Sequence, residues 1–274
     1  MDPEAYYERV RSAYDRIAPR YDDSVGRHAV SRRAKRLALE VIKEVTPPGG
    51  RLLDVGCYTG IEALLLAQQG YRVLGIDLSP EMVRNAQLKA KKWRIEDRAR
   101  FQAMRASDVS RLQGDPLAPF DTAYSVYGTL NLEPEIGRFK EGLLPILRSH
   151  ARFVCGLLNP TVFYELIFAP LVGKFHGYRK LPKRAVKTSI GLGEDTVETF
   201  LYSADEFEAI MAPEFNLERV VGLHILYPPP RGGGGRGLWW VARVLDAAEF
   251  RLESRYPFRN LGFFTLFVFQ KRSR

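Results

Sequence analysis

Two acids close two apolar runs: Asp54 ends "RLLD" and Asp77 ends "YRVLGID", 23 residues later. Gly56 and Gly60 follow the first acid and lead into a helix-like stretch, "IEALLLAQQG". A glycine turn between a strand and a helix can cradle a nucleotide cofactor, because the free N–H groups of the helix N-terminus point at it. The dinucleotide fingerprint G-x-G-x-x-G, started at Gly56, requires glycine at 58 and 61, and the chain has Tyr58 and Ile61 there. The P-loop fails as well, for want of Gly-Lys-Ser/Thr. Glycines after a strand also serve as plain tight turns, and Asp77 taken singly would serve as a helix-capping acid. On these residues alone, those readings stay open.

The elements that would position the acids follow from hydrophobic period. Residues 4 to 18 and 27 to 45 carry apolar side chains three to four apart and are predicted as helices, the second ended by "PPGG" at 47 to 50. Strands and helices then alternate: strand "RLLDVG", helix "GIEALLLAQQG", strand "YRVLGIDL", helix "SPEMVRNAQLKAKKW". Ser79 and Pro80 suit the cap and first position of that last helix. Strands at "ARFQAMRAS" and "FDTAYSVYG", a helix at "IGRFKEGLLPILRS" and a strand at "RFVCGLLN" continue the rhythm. Such alternation implies an α/β fold with a mostly parallel sheet and right-handed crossovers. Ligands of such sheets bind at the carboxyl ends of the strands, where both acids fall. After Asn159 the rhythm breaks. A proline-rich basic segment precedes a hairpin over "VKTSIGLGEDTVETFLY", then come a helix at "SADEFEAIMAP" and a strand at "LERVVGLHILY". "RGGGGRG" is expected to be a loop, "LWWVARVLDAAEFRLES" a helix and "GFFTLFVFQKR" the last strand. No internal repeat is visible.

The pattern from Asp54 to Gly60 resembles the first motif of the class I S-adenosylmethionine-dependent methyltransferases, an acid followed by glycines two, four and six residues later. Asp54, Gly56 and Gly60 match; Tyr58 takes the place of the central glycine. The resemblance implies a Rossmann-like sheet of seven strands with the last antiparallel, helices on both faces, and an inserted lid after strand five. It implies S-adenosylmethionine as cofactor, with S-adenosylhomocysteine as product. Asp77 would accept the two ribose hydroxyls, a vicinal diol that suits the two acceptor oxygens of a carboxylate. Leu78 and Met82 stand where the family packs apolar groups near the adenine. "ASDVSRL" at 106 to 112 is similar to the third-strand motif, with Asp108 at the adenine amino group and the Val109 backbone at a ring nitrogen. Cys57, Ser107, Ser125 and Tyr127 lie within the matching segments and are candidate cofactor contacts, Cys57 as a small buried residue and no nucleophile. "AYDRIAPRYDD" resembles the N-terminal segment of small-molecule and quinone methyltransferases, in which Tyr21 would fold over the cofactor and Tyr14 would stand close by. Tyr58 would put a bulky group beside the methionine moiety. The likeness covers residues 12 to 160 well and the last third only as topology.

Methyl transfer needs alignment and exclusion of water, and a general base only when the acceptor arrives protonated. Residues placed to face the sulfonium are Tyr127 and Asn131 after the fourth strand, Tyr14 and Tyr21, and His176 and Tyr178 in the insertion; each also suits packing. His28 and His224 read as structural, and no His/Cys cluster has metal spacing. The expected organisation is a helical lid at 1–46, a cofactor-binding core at 47–159, an acceptor-side segment at 160–202 and a completion of the sheet at 203–274.

At 274 residues, 46% hydrophobic and 27% charged, the chain has the composition of a folded α/β protein. Its two cysteines sit in apolar strands, which suits a reducing compartment. The N-terminus lacks an apolar signal region, and the longest apolar stretch is too short to span a bilayer, so a cytoplasmic protein is expected. The net charge of +9 suits mere solubility, since Lys and Arg are mostly scattered along helix-like segments, but two local excesses stand out, "RHAVSRRAKR" and "GKFHGYRKLPKRAVK", the latter with six cations and no acid. That balance suits an anionic or lipid-like small-molecule acceptor, or peripheral contact with an anionic membrane surface. An RNA or protein methyltransferase is the second reading. Against it, "YGTLNLEP" stands where an Asn/Asp-Pro-Pro-Tyr motif would follow the fourth strand, and no RNA-binding module is visible. The third is a scaffold whose site Tyr58 blocks. Oligomeric state is not legible.

Overall fold

Strands apolar on both faces must be covered on both faces. In β1 (Arg51–Val55) Leu52 packs into one buried cluster and Leu53 into another, on opposite sides of the sheet. The structure, a computed structural model, describes residues 2–23, 32–171, 185–189, 195–226, 245 and 248–273. The elements run α1 (Pro3–Ile17), α2 (Arg32–Val45), β1, α3 (Ile61–Gln68), β2 (Arg72–Asp77), α4 (Pro80–Trp93), β3 (Ala99–Ala103) and β4 (Phe120–Ser125). After these come α5 (Ile136–Leu143), β5 (Leu147–Leu158), α6 (Phe163–Leu171), β6 (Ala185–Ser189), β7 (Thr196–Phe200), α7 (Ala204–Met211), β8 (Phe215–Leu223) and β9 (Phe264–Lys271).

Seven strands form one sheet in the order β3-β2-β1-β4-β5-β9-β8. The first five are parallel, and β9 runs antiparallel between β5 and β8. This is the Rossmann-like arrangement expected, with the last strand reversed. Order reverses at β1: its connection to β2 leads one way along the sheet and β4 lies on the other side. The crevice at the carboxyl ends of β1, β2 and β4 is therefore the natural ligand site. Helices α2, α3 and α4 cover one face through Ala38, Ile42, Leu64, Val83 and Ala86, all buried. Phe139 of α5 and Phe207 of α7 seal the other against Phe153, Phe267 and Phe269.

Local signals hold at most boundaries. Ser79 caps α4 by accepting the Met82 N–H, and Ser203 opens α7 with a reciprocal capping box to Glu206. Several boundaries differ: the strands expected through Ser107 and Gly128 end at Ala103 and Ser125, and β5 begins five residues before the expected Arg152. The helix expected through Ser149 ends at Leu143, and β5 has begun by Leu147. Pro145 is the cause, since it lacks the N–H and its ring would clash one turn back. Strands β6 and β7 pair antiparallel as the expected hairpin does. The glycine run at 231–237, most of the basic segment at 173–187, and His28, His176 and Tyr178 lie outside the described residues.

Candidate functional site

The turn after β1 is built by glycine geometry. Gly56 and Gly60 have φ of 78° and 77°, the left-handed region that side chains disfavour. A Cβ on Gly56 would come within 2.0 Å of Thr129, and one on Gly60 within 2.8 Å of Ala86 and Phe101. The turn is tied to the end of β2, where Ile76 O accepts the N–H of both Gly56 and Cys57 at 2.8 and 2.9 Å.

Asp77 is buried at the tip of β2, and its two oxygens accept Tyr58 N–H and Ser79 N–H, each at 2.9 Å. Burial pushes its carboxyl up to about 6 against the pull of these two N–H groups, with nearby Asp15 adding to the rise. Asp54 is buried behind the turn, where desolvation and then Glu62 raise its pKa.

Helix α1 lies across this crevice. Tyr7, Val10 and Tyr14 share one face of it and line a cavity of about 50 Å³ with Gly56, Tyr58, Asp77 and Leu78. Met104, Arg105 and Ala106 after β3, and Thr129, Leu132 and Glu133 after β4, complete the lining. Asp15 accepts from Ser79 Oγ at 2.5 Å, Asn85 Nδ2 donates to Ala18 O at 2.9 Å, and Asp22 pairs with Lys89 Nζ at 2.5 Å while accepting from Thr59. These contacts dock the N-terminal segment on the glycine turn and on α4. Val197 of β7 packs with Tyr6, Tyr7 and Val10, so the hairpin rests on α1.

Tyr58 carries a side chain at φ 49°. Its ring stacks on Tyr21 at 5.1 Å and 13° and lies 5.7 Å from Tyr14. Its hydroxyl lies 3.2 Å from Thr129 Oγ1. Burial holds the phenol up at about 12.

The cavity thus gathers Tyr14, Gly56, Tyr58, Asp77 and Leu78 from among the sequence-predicted residues, with Tyr21 behind Tyr58. Gly60 and Cys57 shape the turn from behind, and Met82, Val109 and Ser125 are buried in the core. Asp108 instead lines an open groove of about 560 Å³, its carboxylate 2.6 Å from Arg138 and 3.7 Å from Arg111. Ser107 Oγ meets the Tyr7 hydroxyl at 2.9 Å. Asn131 is fully buried and bonded to backbone: it accepts from Leu158 N–H at 2.8 Å and donates to Phe200 O at 2.6 Å. The ring of Tyr127 lies 5.6 Å from Lys35 Nζ, which is 3.4 Å from Glu62.

Sequence reasoning missed Tyr7, Glu133, Arg105 and Thr129. Tyr7 was findable, since Tyr7, Val10 and Tyr14 are spaced three and four apart on one helical face. Glu133 is buried and bonded to Tyr7 Oη, Glu135 N–H and Ser107 N–H, and desolvation raises its pKa. The Arg105 guanidinium sits 4.4 Å over the Tyr7 ring. Among the described residues no three His, Cys, Asp or Glu side chains are placed to hold a metal, and no helix is long and apolar enough to cross a membrane.

Residues 52–149 match the family model of a methyltransferase domain. The ubiquinone/menaquinone biosynthesis C-methyltransferase UbiE of Geotalea daltonii is 31% identical over 225 residues, 75% of this chain and 86% of that protein. A ubiquinone biosynthesis O-methyltransferase of Xylella fastidiosa is 31% identical over 143 residues, 52% of this chain and 55% of that one. The fold is shared with the [4+2]-cyclase SpnF (TM-score 0.61, 18% identity, 97% and 96% of the two chains). It is shared too with an S-adenosylmethionine-dependent methyltransferase of Clostridium acetobutylicum (TM-score 0.58, 12% identity, 95% and 99%). By its similarity to UbiE over most of that protein, and by the reversed last strand of its sheet, the chain belongs to the class I S-adenosylmethionine-dependent methyltransferases.

Proposed function

We propose that the chain moves a methyl group from S-adenosylmethionine to a small-molecule acceptor in the cytoplasm, by direct in-line displacement. The observation that carries the reading is the buried carboxylate of Asp77, held by two backbone N–H groups beside the glycine turn at the sheet's switch point. Its remaining lone pairs suit a ribose diol. The nucleoside half of the cofactor fits the residues present: Asp77 for the ribose, and Leu78, Met104 and Ala106 as an apolar wall for the base. The whole cavity holds about 50 Å³, below the roughly 300–1,000 Å³ of pockets for drug-sized ligands; the nucleoside side adjoins the groove of about 560 Å³ beyond Leu78 and Met104, whereas on the side of the glycine turn the Tyr58 ring takes the room.

When bound, the cofactor supplies an electrophilic methyl group on a sulfonium sulfur. The chain's part is to hold the nucleoside, align the acceptor and keep water out. Helix α1 supplies the exclusion, since its Tyr7, Val10 and Tyr14 line the crevice, and β7 backs it through Val197. Should the acceptor arrive protonated, Glu133 and the Tyr7 hydroxyl form a lining pair able to take a proton, at Glu133 Oε1 through Tyr7 Oη. The division into a lid at 1–46, a core at 47–159, an acceptor-side segment at 160–202 and a completion at 203–274 belongs to the same reading. So does an anionic or lipid-like acceptor, supported by the basic stretch at 173–187 and by the quinone-pathway names of the relatives.

Transfer of label from methyl-labelled S-adenosylmethionine to a metabolite extract, with RNA and protein fractions run alongside, tests the proposal. Label in the metabolite fraction is expected; label confined to RNA or protein would move the reading to a macromolecular substrate. A second reading, a non-catalytic scaffold, draws on the filling of the crevice by Tyr58, and failure to bind cofactor in calorimetry would favour it.

A further inference from the structure

The crevice divides into two halves that the chain treats differently. The half beyond Asp77 is walled by Leu78, Met104 and Ala106, and it adjoins the open groove of about 560 Å³, which Leu78, Met104 and Arg105 also line. The other half runs from Asp77 toward β1 and β4, between Gly56 and Thr129. There the turn and the loop after β4 are in contact, since a Cβ on Gly56 would lie 2.0 Å from Thr129. The space left over is held by the Tyr58 ring, stacked on Tyr21 at 5.1 Å, with its hydroxyl 3.2 Å from Thr129 Oγ1. Centroids at 5.1 Å leave no gap between the rings for another group. The backbone of the same residue does ordinary service, its N–H bonded to Asp77 at 2.9 Å. The side chain alone is the obstruction, and it sits at φ 49°, where glycine would be unstrained.

We propose that Tyr58 determines which ligands the crevice admits. An adenosine-type nucleoside enters the half beyond Asp77 with Tyr58 in place. A nucleoside that carries an amino-acid tail enters only when the Tyr58 ring leaves Tyr21 and Thr129. The nature of the ligand rests on the methyltransferase reading; the obstruction does not. Tyr21 is anchored next to Asp22, which is bonded to Thr59 and Lys89, so the ring has a firm partner to leave. The apparent affinity for a tailed ligand is then the intrinsic one multiplied by the fraction of molecules with the ring displaced.

The test is calorimetric binding of S-adenosylhomocysteine and of adenosine to the full chain, to Tyr58→Gly and to Tyr58→Phe. If a tenth or less of the molecules have the ring displaced, Tyr58→Gly binds S-adenosylhomocysteine at least about tenfold more tightly than the parent, while adenosine changes by less than about twofold. Tyr58→Phe keeps the ring but not the contact with Thr129, and gains about threefold for S-adenosylhomocysteine alone. It decides the matter should the glycine variant not fold. Equal binding of S-adenosylhomocysteine by parent and both variants overturns the proposal and leaves the methyltransferase reading intact. An equal gain for both ligands overturns it too, because the obstruction would not be selective. Absence of binding of either ligand to every protein overturns both.

Discussion

Asp77→Asn keeps the shape of the side chain and changes its chemistry. At present each carboxylate oxygen accepts a backbone N–H at 2.9 Å. The amide presents one oxygen and one NH2, so one N–H faces a donor and loses its partner. A bond to a charged group is worth about 1.5–3 kcal/mol. Against that, burial holds the folded carboxyl at about 6 when its usual value is 3.8. The raised value means that the folded chain keeps a proton that the unfolded chain has released between pH 3.8 and 6. Stability therefore falls as pH rises through that window, by about 3 kcal/mol once both states are ionised. The amide removes this penalty. The two effects largely cancel, and urea unfolding at pH 7 is expected to shift by no more than about 1.5 kcal/mol, toward higher stability. Ligand affinity has no such compensation. With an acceptor for the ribose diol gone, S-adenosylhomocysteine should bind at least about tenfold more weakly in calorimetry at pH 7.5. The parent's affinity should also rise about tenfold from pH 5 to pH 7 as the carboxylate ionises, and the variant's should stay flat. Parental affinity in the variant, or a variant that keeps the rise with pH, would refute the assignment of Asp77 to the ribose.

Asn131→Ala should cost about 3 kcal/mol in chemical denaturation, since three backbone bonds to Leu158 and Phe200 are lost at about 1 kcal/mol each; a loss below about 1 kcal/mol would mean that the amide does not hold the loop after β4. Asp22→Ala frees Thr59 and Lys89, and hydrogen exchange over residues 3–23 should quicken several-fold while overall stability changes by less than about 1 kcal/mol. Unaltered exchange would show that Asp15 and Asn85 hold the segment without it. Burial raises the thiols of Cys57 and Cys155 well above their ordinary range, so a thiol reagent at pH 7.5 should leave the native protein unlabelled and modify two groups in denaturant. Stoichiometric labelling of the folded chain would contradict their burial.

The alternation of strands and helices, the caps at Ser79 and Ser203 and the two acids at strand ends were readable because each depends on neighbours in the chain. An apolar strand run, a capping hydroxyl three residues from its N–H and a glycine at positive φ are local facts, and parallel sheets with short crossovers turn them into a definite order. The false extension of α5 was a local misreading as well, since Pro145 was in view. What closes the crevice is of another kind. Tyr58 was visible as a departure from glycine, but whether its ring points to solvent, acceptor or cofactor depends on Tyr21 and Thr129, brought to it by a helix and a loop from either side. Glu133, Tyr7 and Ser107 likewise meet from three segments, and Asp108 pairs with Arg138 of α5. From the chain alone came the frame, and with it the edge where a nucleoside belongs. The folding of α1 over that edge decided which side chains line the crevice and how little room they leave, because contacts between distant segments are set by how the layers pack and carry no period along the chain.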